Sequence, residues 1–95
     1  MNDNKMSDPD FLVAVARGDT VAVAAALEAG TSANARDQHE NSALMIGCAR
    51  DRTEICRLLI GAGAATAHRN KWGLGPSDWL RWATDADGIR KLLAS

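Results

Sequence analysis

The chain has 95 residues, of which 11 are basic and 12 acidic, and its net charge is -1. This length suffices for one domain with a single hydrophobic core, and the balanced charge lacks the general attraction that drives non-specific nucleic-acid binding. The sequence shows neither a secretory signal nor the roughly 20 apolar residues of a membrane helix, so we expect a cytoplasmic protein without a nucleic-acid or membrane partner.

The first third of the chain predicts two short helices. Residues 11–17 and 21–28 are apolar runs with helical spacing, and the turn residues Gly18 and Asp19 separate them. Residues 31–41 are polar and rich in turn-forming side chains, so we predict a protruding turn there.

The middle third repeats this plan. Residues 43–50 form a helical run that Ser42 opens, because its hydroxyl can cap the helix N-terminus. Residues 53–60 carry apolar side chains at positions i, i+3 and i+4, which places one stripe against the preceding helix. Gly63 ends this run, and residues 64–75 are again predicted to protrude as a turn.

The last third predicts a third helix pair. Pro76 stands at a first helical position, residues 77–83 follow as one helix, and residues 89–93 form another after a polar break. The chain therefore predicts six short helices in three pairs.

The clearest regularity lies in the loops. Residues 30–37 recur as residues 63–70, an offset of 33, and the same offset maps Ala16 onto Ala49. A fixed period of this length is typical of stacked helical repeats, and such stacks usually offer binding surfaces.

With this period, these helix pairs and the loop residues Gly30, Asn34 and Asp37, the chain resembles the ankyrin-repeat family over residues 8–94. The family's Thr-Pro-Leu-His-x-Ala signature is degraded in every copy. The resemblance implies an all-α fold, an ankyrin-repeat solenoid of three helix pairs joined by protruding β-turn loops, in one domain of residues 1–95. The units are expected at about residues 4–36, 37–69 and 70–95.

The resemblance also assigns structural roles. The first and third units are expected to act as caps, and Asn34 is expected to hydrogen-bond within its own turn. The polar residues of the capping faces are Asp3, Asp8 and Asp10 at one end and Arg90, Lys91 and Ser95 at the other.

Candidates for catalysis or metal binding are few. His39 and His68 occupy near-equivalent loop positions, but two histidines without a cysteine or carboxylate partner make a weak metal site. Cys48 and Cys56 fall in apolar helical stripes, so we expect inert, buried thiols. We predict no enzyme activity, no metal and no cofactor.

Ankyrin proteins usually engage partners through the turn tips and the inner face of each first helix, and the resemblance implies a binding surface at those positions. They are Arg17, Arg36, Gln38, His39, Asn41, Ala49, Arg50, Arg69, Lys71, Trp72, Leu74, Trp82 and Ala83. This set is basic and contains no carboxylate, which favours a partner protein with an acidic surface.

All three tryptophans lie between residues 72 and 82. We predict that Trp79 packs in the core and that Trp72 lies at a turn tip. Trp82 either faces the groove or covers the C-terminal unit. Because tryptophan and arginine dominate interface hot spots, Trp72 and the arginines are the expected anchors.

The sequence thus predicts a non-enzymatic protein–protein interaction module whose basic, Trp-containing concave face binds another protein. It is either an adaptor or a stand-alone inhibitor, such as an immunity-type protein, and its small size favours the inhibitor. The alternative is a structural repeat protein that self-associates through exposed tryptophans. We therefore expect a monomer or a weak homodimer.

Overall fold

The structure, a computed structural model, describes residues 6–94 apart from the side chain of Trp82. Its elements are α1 (Asp8–Arg17), α2 (Thr20–Glu28), α3 (Ala43–Ala49), α4 (Thr53–Gly61), a 3₁₀ helix (Pro76–Trp82) and α5 (Ala86–Ala94). The described residues contain no β-strand, only an isolated bridge between Arg36 and Ser42. They are all-helical, as predicted, but the fifth helix is of the 3₁₀ type. No helix in residues 6–94 is both long and apolar enough to cross a membrane.

Three of the helices begin at side-chain caps. Ser7, Asp19 and Ser42 each accept a hydrogen bond from the N–H group three residues further on, at 3.4, 3.1 and 3.2 Å. Each cap satisfies one of the N–H groups that a helix leaves unpaired in its first turn. The predicted role of Ser42 is confirmed.

The helices lie in two layers around one core. α1 contacts α3, and α3 contacts the 3₁₀ helix, so the first helix of each pair forms one layer. α2 contacts α4, and α4 contacts α5, which makes the second layer. The largest fully buried side chains between them are Phe11, Val15, Val23, Leu44, Met45, Ile55, Leu59, Leu80 and Ile89.

The backbone repeats with the same period as the sequence. Six of the described residues have positive φ, and they form three pairs with an offset of 33 residues: Gly18 and Asp51, Gly30 and Gly63, and Glu40 and Gly73. The left-handed conformation costs an L-residue about 1–2 kcal/mol. Glu40 nevertheless adopts it, with φ of 65°, and Gly73 at the equivalent position has φ of 79°. The shape of the turn is therefore the same in both loops, although Glu40 replaces a glycine in the first.

The two cysteines occupy the core of the middle pair. Cys48 on α3 and Cys56 on α4 are both fully buried, as predicted. They lie 33 residues after Val15 and Val23, which are buried in the first pair. A hydrogen bond with Cys56 and burial raise the pKa of the Cys48 thiol, so its reactive thiolate form is suppressed.

Side chains also join successive units. The Arg52 guanidinium donates to the carbonyl oxygen of Ala16 at 3.0 Å. Asn34 Oδ1 accepts from the backbone N–H of Ala65 at 2.8 Å, in the following loop. The expectation that the Asn34 side chain bonds within its own turn was therefore wrong. The two equivalent loops lie side by side, and this brings the backbone N–H of Ala65 within hydrogen-bond distance of Asn34.

Most of the predicted capping residues lie at the surface. Asp8 and Asp10 are exposed, but so are the apolar Val13 and Val21 of the first two helices, at 53% and 81%. At the other end Arg90 and Lys91 are exposed. The remaining capping residues of the prediction, Asp3 and Ser95, lie outside the described residues.

Candidate functional site

The loop between α2 and α3 is shaped by one carboxylate. Asp37 Oδ1 accepts from the backbone N–H groups of His39 and Asn41 at 2.8 and 3.0 Å, and Asp37 Oδ2 accepts from the Asn41 side-chain amide at 3.1 Å. Partial burial opposes ionisation, yet the hydrogen bonds from Asn41 and His39 hold the pKa of Asp37 below its ordinary value. These three bonds fix the loop tip from within.

The loop between α4 and the 3₁₀ helix uses an amide for the same purpose. Asn70, one period after Asp37, accepts from the backbone N–H groups of Trp72 and Leu74 at 2.9 and 3.0 Å. Its Nδ2 donates to Asn41 Oδ1 at 2.9 Å, and this bond joins the two loops. Asn70 is only 6% exposed, so the joint is shielded from water.

The joined loops display an aromatic platform. Trp72 is 60% exposed, as predicted for a turn tip. Its ring lies 5.1 Å from that of His39, and Lys71 Nζ lies 5.6 Å from the Trp72 ring centroid. The Lys71 backbone N–H donates to the His39 carbonyl at 3.1 Å. We call His39, Lys71, Trp72 and the 39%-exposed Leu74 the tip surface.

Beside the loops, the first-helix layer carries a groove of about 270 Å³. Its lining residues are Ala16, Asp37, Asn41, Met45, Ile46, Ala49, Arg50 and Trp79, and we call them the inner groove. Ile46 and Trp79 are related by the 33-residue offset, and Val13 precedes them by the same offset. Ile46 and Trp79 thus place one larger apolar side chain from each of their helices in the groove, while Val13 lines a separate cavity.

Trp79 serves both the core and the groove. Its half-buried ring packs against the core, as the sequence predicted, but it also forms a wall of the inner groove. Its indole N–H is buried and has no hydrogen-bond partner within the described residues. Sequence reasoning missed the groove role, although the alignment of Trp79 with Ile46 contained the signal.

The charge of this surface differs from the prediction. Glu40 pairs with Arg36 at 3.3 Å, and the Asp37 carboxylate lines the inner groove. The predicted set contains no carboxylate, but two carboxylates adjoin it, because the turn uses the Asp37 acceptor and Glu40 lies within reach of Arg36. Arg17 and Arg50 form no ion pair within residues 6–94.

The predicted binding residues fall into several places. His39, Lys71, Trp72 and Leu74 meet at the tip surface, while Asn41, Ala49 and Arg50 line the inner groove. Arg17 lines a separate cavity beside Val13. Gln38 and Arg36 line another beside Pro9. The Arg69 side chain donates to the Gly73 carbonyl at 2.7 Å, and Ala83 packs partly buried against the core.

The prediction that Trp82 either faces the groove or covers the C-terminal unit concerns a side chain outside the described part of the structure. Among the described residues, no three His, Cys, Asp or Glu side chains are grouped so that they could hold a metal ion.

Part of the chain is similar to a known protein. No protein-family profile matches the chain. The chain is 42% identical over 65 residues to the potassium channel KOR1 of Oryza sativa subsp. japonica. That stretch covers 68% of this chain but only 8% of the channel, so the chain corresponds to a small part of that relative.

Proposed function

We propose that this chain is an ankyrin-type repeat module, a solenoid of three helix pairs, that binds a partner protein through the tip surface and the inner groove. The observation that carries the proposal is the recurrence of one turn geometry and one hydrogen-bonding pattern every 33 residues. This recurrence sets Ile46 and Trp79 in line beside a fixed loop platform. Repeat stacks use such extended faces for recognition.

The tip surface supports an interface because its residues are held in place before binding. The Asn70–Asn41 bond and the backbone bond from Lys71 to His39 fix the loops that carry Trp72. A fixed aromatic side chain loses little conformational entropy on binding, and tryptophan is among the commonest hot-spot residues. We propose Trp72 as the main anchor.

The charge at the surface supports an acidic partner. Arg50 and Lys71 stand at the inner groove and the tip surface without an ion-pair partner in residues 6–94. A basic surface of this kind speeds association with an acidic protein and rejects basic ones. Because Arg36 is paired with Glu40, we assign it a smaller share of this attraction.

We further propose a non-enzymatic, cytoplasmic role in which the module inhibits or anchors its partner. A related stretch forms a small part of a much longer channel, as expected of a module that is combined with other segments. Inhibition predicts loss of the partner's activity on binding, and anchoring predicts that the activity is kept.

The experiment begins with affinity purification of the intact protein and identification of co-purifying proteins by mass spectrometry. Amide hydrogen exchange is then measured with and without the purified partner. We expect added protection at residues 37–41 and 70–74 and along α3, with little change in α2. Protection confined to α2, α4 and α5 would place the interface on the other layer and reject the proposal.

Self-association is the second candidate, because Trp72 and Leu74 are exposed neighbours on one loop. It predicts that the measured mass rises from monomer to dimer across a concentration series and that Trp72→Ala abolishes the rise. A constant monomer mass would remove this candidate without affecting the first.

A further inference from the structure

We propose that the occupant of the inner groove is an amphipathic α-helix whose edge is acidic. This inference rests on the proposed function and names the class of partner that the groove fits. Three features of the groove carry it: the order of side chains along each first helix, the hydrogen-bonding state of the groove's polar groups, and the spacing of the units.

The first feature is the pairing of an apolar with a basic side chain. Arg17 follows Val13 by four residues, and Arg50 follows Ile46 by four residues. Side chains four apart lie on one face of a helix, one turn from each other. In the first two units the first layer therefore carries an apolar residue with a basic residue one turn later: Val13 and Arg17 beside one cavity, Ile46 and Arg50 in the inner groove. In the third unit Trp79 is followed by Ala83 instead. Ala49, between Ile46 and Arg50, is small and leaves room for a partner side chain.

The second feature is the scarcity of acceptors for a peptide backbone. Residues 6–94 contain no strand whose edge an extended peptide can join. Asp37 and Asn41 in the groove are already bonded to each other, and Asn41 also to Asn70. The Arg50 guanidinium and the Trp79 indole N–H, which also line the groove, are donors only and cannot accept from peptide N–H groups. An extended peptide laid over the groove would leave backbone N–H groups unpaired, which is costly. A helix satisfies these groups internally and docks by its apolar face.

The third feature is the match of two spacings. Packed helices lie about 8–10 Å apart, so the apolar residues of successive first helices repeat at about that distance. Seven residues of an α-helix span roughly 10.5 Å. A partner helix that crosses the units therefore places apolar side chains at i and i+7 against Ile46 and its neighbours, and acidic side chains on the adjacent edge face Arg17 and Arg50.

The test is selection of binders from a displayed library of random 16-residue peptides on the intact protein. We expect enriched sequences with apolar residues at helical spacing and an excess of Asp and Glu on one edge. The synthetic peptides should gain helical circular dichroism on binding. Enrichment of proline-containing, alternating or basic sequences would overturn the proposal, and so would a selection that enriches no sequence.

A charge-reversal variant tests the same point with a matched control. Arg17→Glu combined with Arg50→Glu should weaken the enriched peptide's binding at least tenfold at low salt, and less at high salt because exposed charges are screened. The control is Val21→Glu on the exposed side of α2, which should leave the affinity unchanged. Equal binding by all three proteins would overturn the helix proposal, whereas the hydrogen-exchange map of the natural partner tests the proposed function separately.

Discussion

Replacing Asn70 with alanine should lower the stability of the protein, because it removes the side chain that joins the two loops. The Asn70 side chain makes three hydrogen bonds, to Asn41, Trp72 and Leu74, and its low exposure limits replacement by water. At about 0.5–1.5 kcal/mol for each of the three bonds, the variant should lose about 1.5–4.5 kcal/mol of unfolding free energy. For a domain of this size, 1 kcal/mol shifts the melting temperature by roughly 4–8 °C.

Thermal unfolding followed by circular dichroism measures this effect, and Asn34→Ala is the matched control. Asn34 is an exposed loop asparagine that accepts one bond, from Ala65, and its loss should cost no more than about 1 kcal/mol. The Asn70 variant should therefore melt well below the Asn34 variant. Equal melting temperatures would refute the view that the Asn70 bonds hold the loops together.

Three further predictions concern stability and reactivity. Leu59→Ala should lower the free energy of unfolding in urea by about 2–5 kcal/mol, because it leaves a cavity in the core. Leu58 is only half-buried, so Leu58→Ala should lower it less. The reverse order would show that the side-chain register is wrong. Asp37 has a lowered pKa, so it stabilises the fold above its unfolded value of about 3.9. That contribution should fade as the pH falls through the lowered pKa, and Asp37→Asn should flatten this part of the profile. Native Cys48 and Cys56 should react with a thiol reagent far more slowly than unfolded protein, and rapid native labelling would contradict their burial.

The helices and turns followed from the sequence because local signals determine them. Ser42 caps α3, and Gly30 and Gly63 take the positive φ that ends a helix and opens a loop. The left-handed conformation of Glu40 was not predicted, since glutamate gives no local signal for it. Only comparison with Gly73, one period later, reveals the shared turn.

The candidate site was harder to predict because its parts meet through contacts between units. The exposure of Trp72 followed from its place in a polar turn, but its contact with His39 depends on two loops lying side by side. The pairing of Glu40 with Arg36 likewise depends on the folded loop. Trp79 was assigned to the core alone because its apolar character matches both environments.

The affinity of Trp72→Ala for the purified partner decides whether the tip surface anchors that partner. We expect the binding free energy to fall by about 2 kcal/mol or more, roughly thirtyfold in affinity. The melting temperature should fall only slightly, because Trp72 is 60% exposed and the folded state loses just its ring contacts with His39 and Lys71. Val21→Ala, which removes an exposed side chain from α2, should bind as the original protein does. Full affinity in Trp72→Ala would show that Trp72 is not the anchor.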